Sequence, residues 1–115
     1  LGAVSVTADS LPQGQGHATI LSQIVAEQLG LDPHDIRCNM ERDTQRDPWS
    51  IATGNYSSRF SSSTAVVAQM AAKKVRAKIA QIASQTLNVP ADEVAFAAEV
   101  FVSAVRRIRG QRAAR

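Results

Sequence analysis

Two stretches of this chain combine residue types that could hold an anion or the edge of a polar ring. The first is Gln13-Gly14-Gln15-Gly16-His17. Glycines let backbone amides come close to a ligand, and the start of a following helix offers N–H groups that no intrahelical carbonyl takes up. A glutamine carboxamide between them both donates and accepts hydrogen bonds, which suits an oxo group or a heterocycle edge. The second stretch, Gly54-Asn55-Tyr56-Ser57-Ser58-Arg59-Phe60-Ser61-Ser62-Ser63-Thr64, runs directly into a long helical pattern. Hydroxyls and amides at a helix start, with an arginine nearby, make a phosphate or pyrophosphate seat.

Each stretch also has a plainer reading. A glycine-rich strand-to-helix turn is more often only a turn, and the second stretch reads equally well as an N-cap in a serine-rich loop. Their coincidence favours binding, because both make the same offer, an anion site at a helix N-terminus. The first stretch lacks the Lys-Ser/Thr ending of a P-loop and the spacing of a dinucleotide fingerprint, so neither ATP nor NAD is supported. His17, His34 and Cys38 follow no standard metal-ligand spacing and take structural or solvent roles. No serine sits in a nucleophile elbow. No catalytic residue and no metal ligand is assigned.

The elements that must position these residues follow from periodicity. Val4 and Val6 alternate with Ser5 and Thr7, a short β-strand. From His17, apolar residues at Leu21, Ile24, Val25 and Leu29 give one helical stripe that Gly30 stops. The alternation from Asp35 to Glu41 predicts a half-buried strand, and the charged stretch from Glu41 to Asn55 a long loop. The spacing predicts a helix over residues 61–86, on the order of 40 Å long, with Val67, Met70, Ala71, Val75, Ile79 and Ile82 on its apolar face. Its many alanines let another helix or a sheet approach closely. Asn88-Val89-Pro90 ends it, Ala91-Asp92-Glu93 forms a single turn, and strands are expected at residues 94–98 and 100–103. The order is β-α-β-loop-α-β-β, an α+β fold with two main helices packed on short β-strands. Residues 1–104 are expected to form a partial domain and residues 105–115 an Arg-rich tail.

With 115 residues the chain holds one small core, and its 4% aromatic content leaves little stacking surface. The net charge of +3 comes from the tail, where Arg106, Arg107, Arg109, Arg112 and Arg115 crowd the last ten residues. The body is mildly acidic. A tail-borne nucleic-acid module is therefore a rival reading, but nucleic acid is not the expected partner. Cys38 is the only cysteine, which fits a reducing, cytoplasmic setting. No stretch reaches the roughly 20 apolar residues of a membrane span. The first residue is Leu1 rather than Met, and we expect a portion of something longer.

Taken together and in order, the two motifs resemble a known family. Val6-Thr7 through Pro12-Gln13-Gly14-Gln15-Gly16-His17 and on to Gln23-Ile24-Val25-Ala26 is similar to the Gly-Gln-Gly stretch in the molybdopterin-binding large subunit of molybdenum hydroxylases, the xanthine dehydrogenase/aldehyde oxidase family. Gly54-Asn55-Tyr56-Ser57-Ser58-Arg59, opening an Ala-rich helix, resembles that family's Gly-x-Tyr-x-Ser-Arg segment. The resemblance covers residues 4–103. It departs from the family pattern at Ala18, where many relatives carry Glu, and at Phe60, where they carry small residues.

The resemblance implies that Gly14, Gln15 and Gly16 lie beside molybdopterin with its molybdenum, in bacterial members usually the cytosine dinucleotide form. It implies that Arg59, Phe60, Ser61 and Ser62 form the second cofactor contact, with Gln15 near the metal's oxo or pterin end and the Ser61-Ser62 amides near phosphate. The family's catalytic glutamate belongs to a later Gly-x-Gly-Glu segment with no counterpart here, so the chain is not expected to catalyse alone. In complete relatives the reaction hydroxylates aldehydes or N-heterocycles. With no cysteine cluster here, iron–sulfur centres and FAD belong on partner chains. The implied partners are the remaining part of the molybdopterin subunit, the iron–sulfur and flavin subunits, or a second copy. The rival within the family is an inactive truncated relic serving as an interaction module.

Overall fold

The computed structural model describes residues 3–41, 43, 45–47 and 54–94. Strand β1, Val4–Thr7, buries the Val4 and Val6 side partly and exposes Ser5 and Thr7. Helix α1, His17–Leu29, stops at Gly30, whose left-handed backbone (φ 67) lets its N–H reach the Ala26 carbonyl. Asp32 then accepts from the His34 amide at 2.8 Å and caps a 3₁₀ turn, Pro33–Asp35. That turn delivers the chain into strand β2, Ile36–Asn39.

β2 pairs with β1 in parallel, Val4 opposite Ile36 and Thr7 opposite Asn39. Parallel pairing requires a crossover, and α1 is that crossover. The loop expected from Glu41 to Asn55 lies largely outside the described residues; after it come a 3₁₀ turn, Tyr56–Ser58, a π turn, Phe60–Thr64, and helix α2, Ala65–Leu87. α2 ends where Asn88 turns left-handed (φ 54), and a last 3₁₀ turn follows at Ala91–Glu93. The architecture is the expected mixed α+β arrangement, two helices on a two-stranded sheet. The π turn takes the first residues expected of the long helix. Val94 is not in a strand; residues 95–98 and 100–103, where strands were expected, lie outside the described residues, as does the tail.

The expected apolar face of the long helix is not the face that packs. Val67, Met70, Val75, Ile79 and Ile82 are between 39% and 61% exposed, whereas Ala68, Ala72 and Ala83 are buried. The reason lies in α1, which presents Leu21, Val25 and Leu29 as bulk. A ridge of large side chains packs best into a groove of small ones, and the alanines at 68 and 72 supply that groove. Leu21 is fully buried against Phe60 and Ala68, a burial worth roughly 2–3 kcal/mol.

The contacts also fix direction. His17 at the start of α1 lies on Phe60 at the entry to α2, and Arg76 further along α2 donates to the Gln28 carbonyl near the end of α1 at 2.9 Å. The helices run parallel, with both N-termini at one end of the molecule.

Replacing Ala72 with Leu forces a branched side chain into this helix contact. The Ala72→Leu variant should lose about 1–3 kcal/mol in urea denaturation, while Val67→Ser on the outer face should change stability by less than about 0.5 kcal/mol. Equal losses would show that the alanine groove is not the packing face.

Candidate functional site

The end at which both helices begin also collects the two motifs. Gly14 (φ 99) and Gly16 (φ 71) are both left-handed, and Gly16 is the residue from which α1 starts. A side chain at either position would be strained by the backbone, yet nothing stands within 4 Å of where its Cβ would lie. The turn is open on its outer side. Gln15 folds back, its Oε1 accepting from the Gln13 amide.

The Gly54–Arg59 segment packs on itself. A Cβ on Gly54 (φ 94) would lie 3.0 Å from the Tyr56 ring, so the glycine is needed both for conformation and for the ring laid over it. The Arg59 guanidinium donates to the Gly54 carbonyl at 3.2 Å. The Gly-x-Tyr-x-Ser-Arg spacing is thus the spacing of one compact turn. Ser57 and Ser58 hold left-handed φ values of 50 and 57, which cost non-glycine residues about 1 kcal/mol or more each and persist only where neighbours fix them. The Ser61 hydroxyl donates to the Ser58 carbonyl at 3.0 Å, and Ser62 reaches the Ser58 and Arg59 carbonyls at 3.5 and 3.4 Å. The serine hydroxyls therefore point back over the turn and do not cap the helix.

Neither helix start caps itself. α1 has no side-chain cap and no acidic residue in its first turn, and the π turn into α2 has none either. First-turn N–H groups left without an internal acceptor favour an anion, and two parallel helices add their fields at the same end.

The motifs are joined by residues that sequence reasoning did not single out as binding. Asn55 Nδ2 donates to the Leu11 carbonyl at 2.8 Å, and the Ser10 hydroxyl donates to Asn55 Oδ1. His17 Nδ1 lies 3.3 Å from both the Ser10 carbonyl and the Ser10 hydroxyl. The His17 ring stacks on Phe60, centroids 3.9 Å apart and 2° from parallel. Of the residues implied by the resemblance, Gly14, Gln15, Gly16, Ser61 and Ser62 are exposed, Arg59 is half-buried, and Phe60 is buried. Asn55 carried a sequence signal, its place inside the second motif. Ser10 carried none.

Cys38 reaches this end from β2, packed against the cluster that holds Phe60. Its thiol donates to the Ala18 carbonyl at 3.2 Å. Burial pushes the thiol pKa up, against a smaller downward pull from the Ser22 backbone. Among the described residues no three His, Cys, Asp or Glu side chains gather as a metal site, and no helix is long and apolar enough to cross a membrane.

Open space over two left-handed glycines and two uncapped helix starts suit a polar, anionic cofactor. The sequence matches the molybdopterin cofactor-binding domain over residues 1–115. It is 35% identical over 88 residues to the carbon monoxide dehydrogenase large chain of Afipia carboxidovorans, across 76% of this chain and 10% of that one. The same-named chain of Hydrogenophaga pseudoflava is 31% identical over 100 residues, 87% of this chain and 12% of that one. Subunit gamma of the 6-hydroxypseudooxynicotine dehydrogenase complex of Paenarthrobacter nicotinovorans is 34% identical over 100 residues, again 87% and 12%. No solved structure matches the chain significantly. The chain belongs to the molybdopterin cofactor-binding domains of molybdenum-enzyme large subunits. It spans between 10% and 12% of the length of these relatives.

A thiol held protonated by burial is a slow nucleophile. Alkylation of Cys38 by iodoacetamide, followed by mass spectrometry, should rise at a higher pH in the folded chain than in urea. Coincident profiles would contradict the burial described.

Proposed function

We propose that this chain forms one wall of the molybdenum-cofactor seat in an oxidoreductase. The observation that carries the reading is the meeting of Gly14-Gln15-Gly16 with Arg59-Phe60-Ser61-Ser62 at the common start of two parallel helices. In this reading Gln15 faces the pterin or oxo end. The Ser61 and Ser62 amides hold phosphate, which in the cytosine dinucleotide form is a pyrophosphate, with Arg59 beside them. Phe60 supports the seat from beneath through its stack on His17. When bound, molybdopterin with its molybdenum supplies two-electron redox and oxygen-transfer chemistry. The chain's own residues bind and orient.

The reaction proposed for the completed enzyme is hydroxylation of an aldehyde or an N-heterocycle. The relatives' names specify carbon monoxide and 6-hydroxypseudooxynicotine, so these join the substrates to be tried. Partners are the remaining part of the large subunit and the iron–sulfur and flavin subunits, in the cytoplasm. Support comes from the outer stripe of α2 and from an open groove of about 950 Å³ between β1 and α2, lined by Val4, Val6, Val67, Ala71 and Val75. Apolar surface of that extent marks an interface.

The test is molybdenum content together with oxidised-pterin fluorescence on material purified natively with its accompanying chains. Both should appear in fixed proportion and fall in Gln15→Ala. They should fall also in Ser62→Asp, where a carboxylate at the helix start repels phosphate yet leaves the helix as stable as before. Accompanying chains without either signal would defeat the cofactor assignment and leave the relic reading.

A further inference from the structure

The hydrogen-bond partners around Ser10 determine where one proton must sit. The Leu11 and Ser10 main-chain carbonyls can only accept. Asn55 therefore turns its NH₂ to the Leu11 carbonyl at 2.8 Å, which turns Oδ1 to the Ser10 hydroxyl. The hydroxyl has one proton and spends it on Oδ1. It has none for His17 Nδ1, and the Ser10 carbonyl 3.3 Å from Nδ1 has none to give. Nδ1 must carry the hydrogen and donate to Ser10. The neutral His17 ring is therefore the Nδ1–H tautomer, the form less favoured by a free histidine in water, with Nε2 left bare as an acceptor.

The surroundings say where that acceptor is. The His17 residue is 3% exposed, and one ring face is covered by Phe60. No described residue pairs with Nε2, yet among the described residues no fully buried side-chain nitrogen or oxygen lacks a partner. Nε2 therefore keeps some exposure to the surface, on the residue that directly follows Gly14-Gln15-Gly16.

We propose that His17 is a positioning residue of the seat. Fixed as one tautomer between Ser10 and Phe60, it keeps the glycine turn in register with the second helix start. It leaves Nε2 as a hydrogen-bond acceptor for an N–H or O–H of the bound ligand. This last role rests on the cofactor reading above. The tautomer and the register do not.

The first measurement is long-range ¹H–¹⁵N correlation of the histidine rings in the labelled, cofactor-free chain, with His34→Gln to assign the second histidine. His17 should show a pyrrole-type Nδ1 and a pyridine-type Nε2, and Asn55→Ala should move the amide resonances of Gly14 and Gly16. A proton on Nε2, or averaging between the two forms, overturns the proposal, as do unmoved glycine amides. The second measurement is pterin retained per subunit in natively purified His17→Phe, which keeps a ring on Phe60 and loses both nitrogens. Retention should fall roughly tenfold or more, the usual cost of removing a group that orients a bound cofactor, with the melting temperature little changed. Wild-type retention in that variant would reduce His17 to packing. Wild-type protein without pterin would defeat the proposed function, while the tautomer and the glycine shifts would still decide the register.

Discussion

The structure turns on the contact between His17 and Phe60. The rings lie parallel at 3.9 Å, and the same imidazole is tied through Ser10 to Asn55. One buried polar ring thus joins the start of α1 to the segment that opens α2. Burying an imidazole is costly unless its polar atoms are matched. Here Nδ1 is satisfied by Ser10, and the face of the ring is satisfied by another aromatic. Remove that match, and the glycine turn is held against the serine-rich turn only by Asn55 through Ser10 and the Leu11 carbonyl and by Leu21 on Phe60. The parallel course of the helices continues from that contact, through Leu21 on Ala68 to Gln28 on Arg76.

The contact also explains the less regular features at this end. A π turn admits one more residue per hydrogen-bonded ring than an α-turn and widens the helix start. It occurs at Phe60–Thr64, where an aromatic side chain must reach across to α1. The left-handed Ser57 and Ser58 lie immediately before it, in a turn closed by Tyr56 over Gly54 and by Arg59 on the Gly54 carbonyl. Strain is concentrated beside the proposed seat, and the self-packed motif is the scaffold that sustains it. Phe60 belongs to the same arrangement, since its ring stacks on His17.

How far the sequence could be read depended on how local the cause was. α1 was legible because its apolar stripe and its stop at Gly30 agree within one element. The end of α2 was legible from Asn88-Val89-Pro90 for the same reason. The packing face of α2 was not. Alanines at 68 and 72 and larger residues at 67, 75, 79 and 82 both recur at helical spacing, and hydropathy alone selects the larger set. The choice is made by the bulk of Leu21, Val25 and Leu29 on a different helix. At the proposed seat, glycines and serines announced themselves by type, and their order carried the resemblance. Ser10 could not be found that way, because its role exists only through partners far along the chain.

That remoteness has a thermodynamic side. The bond from Ser10 to Asn55 closes a loop spanning 45 residues. Bringing the ends of such a loop together costs an entropy on the order of 3 kcal/mol. A local turn closes within one element, but this one encloses α1 and β2 and depends on their packing. The link between the two motifs thus depends on elements far apart in sequence. A ligand spanning both helix starts would close the loop from outside and act as a cross-link. Loading would then stiffen the chain far beyond the atoms it touches.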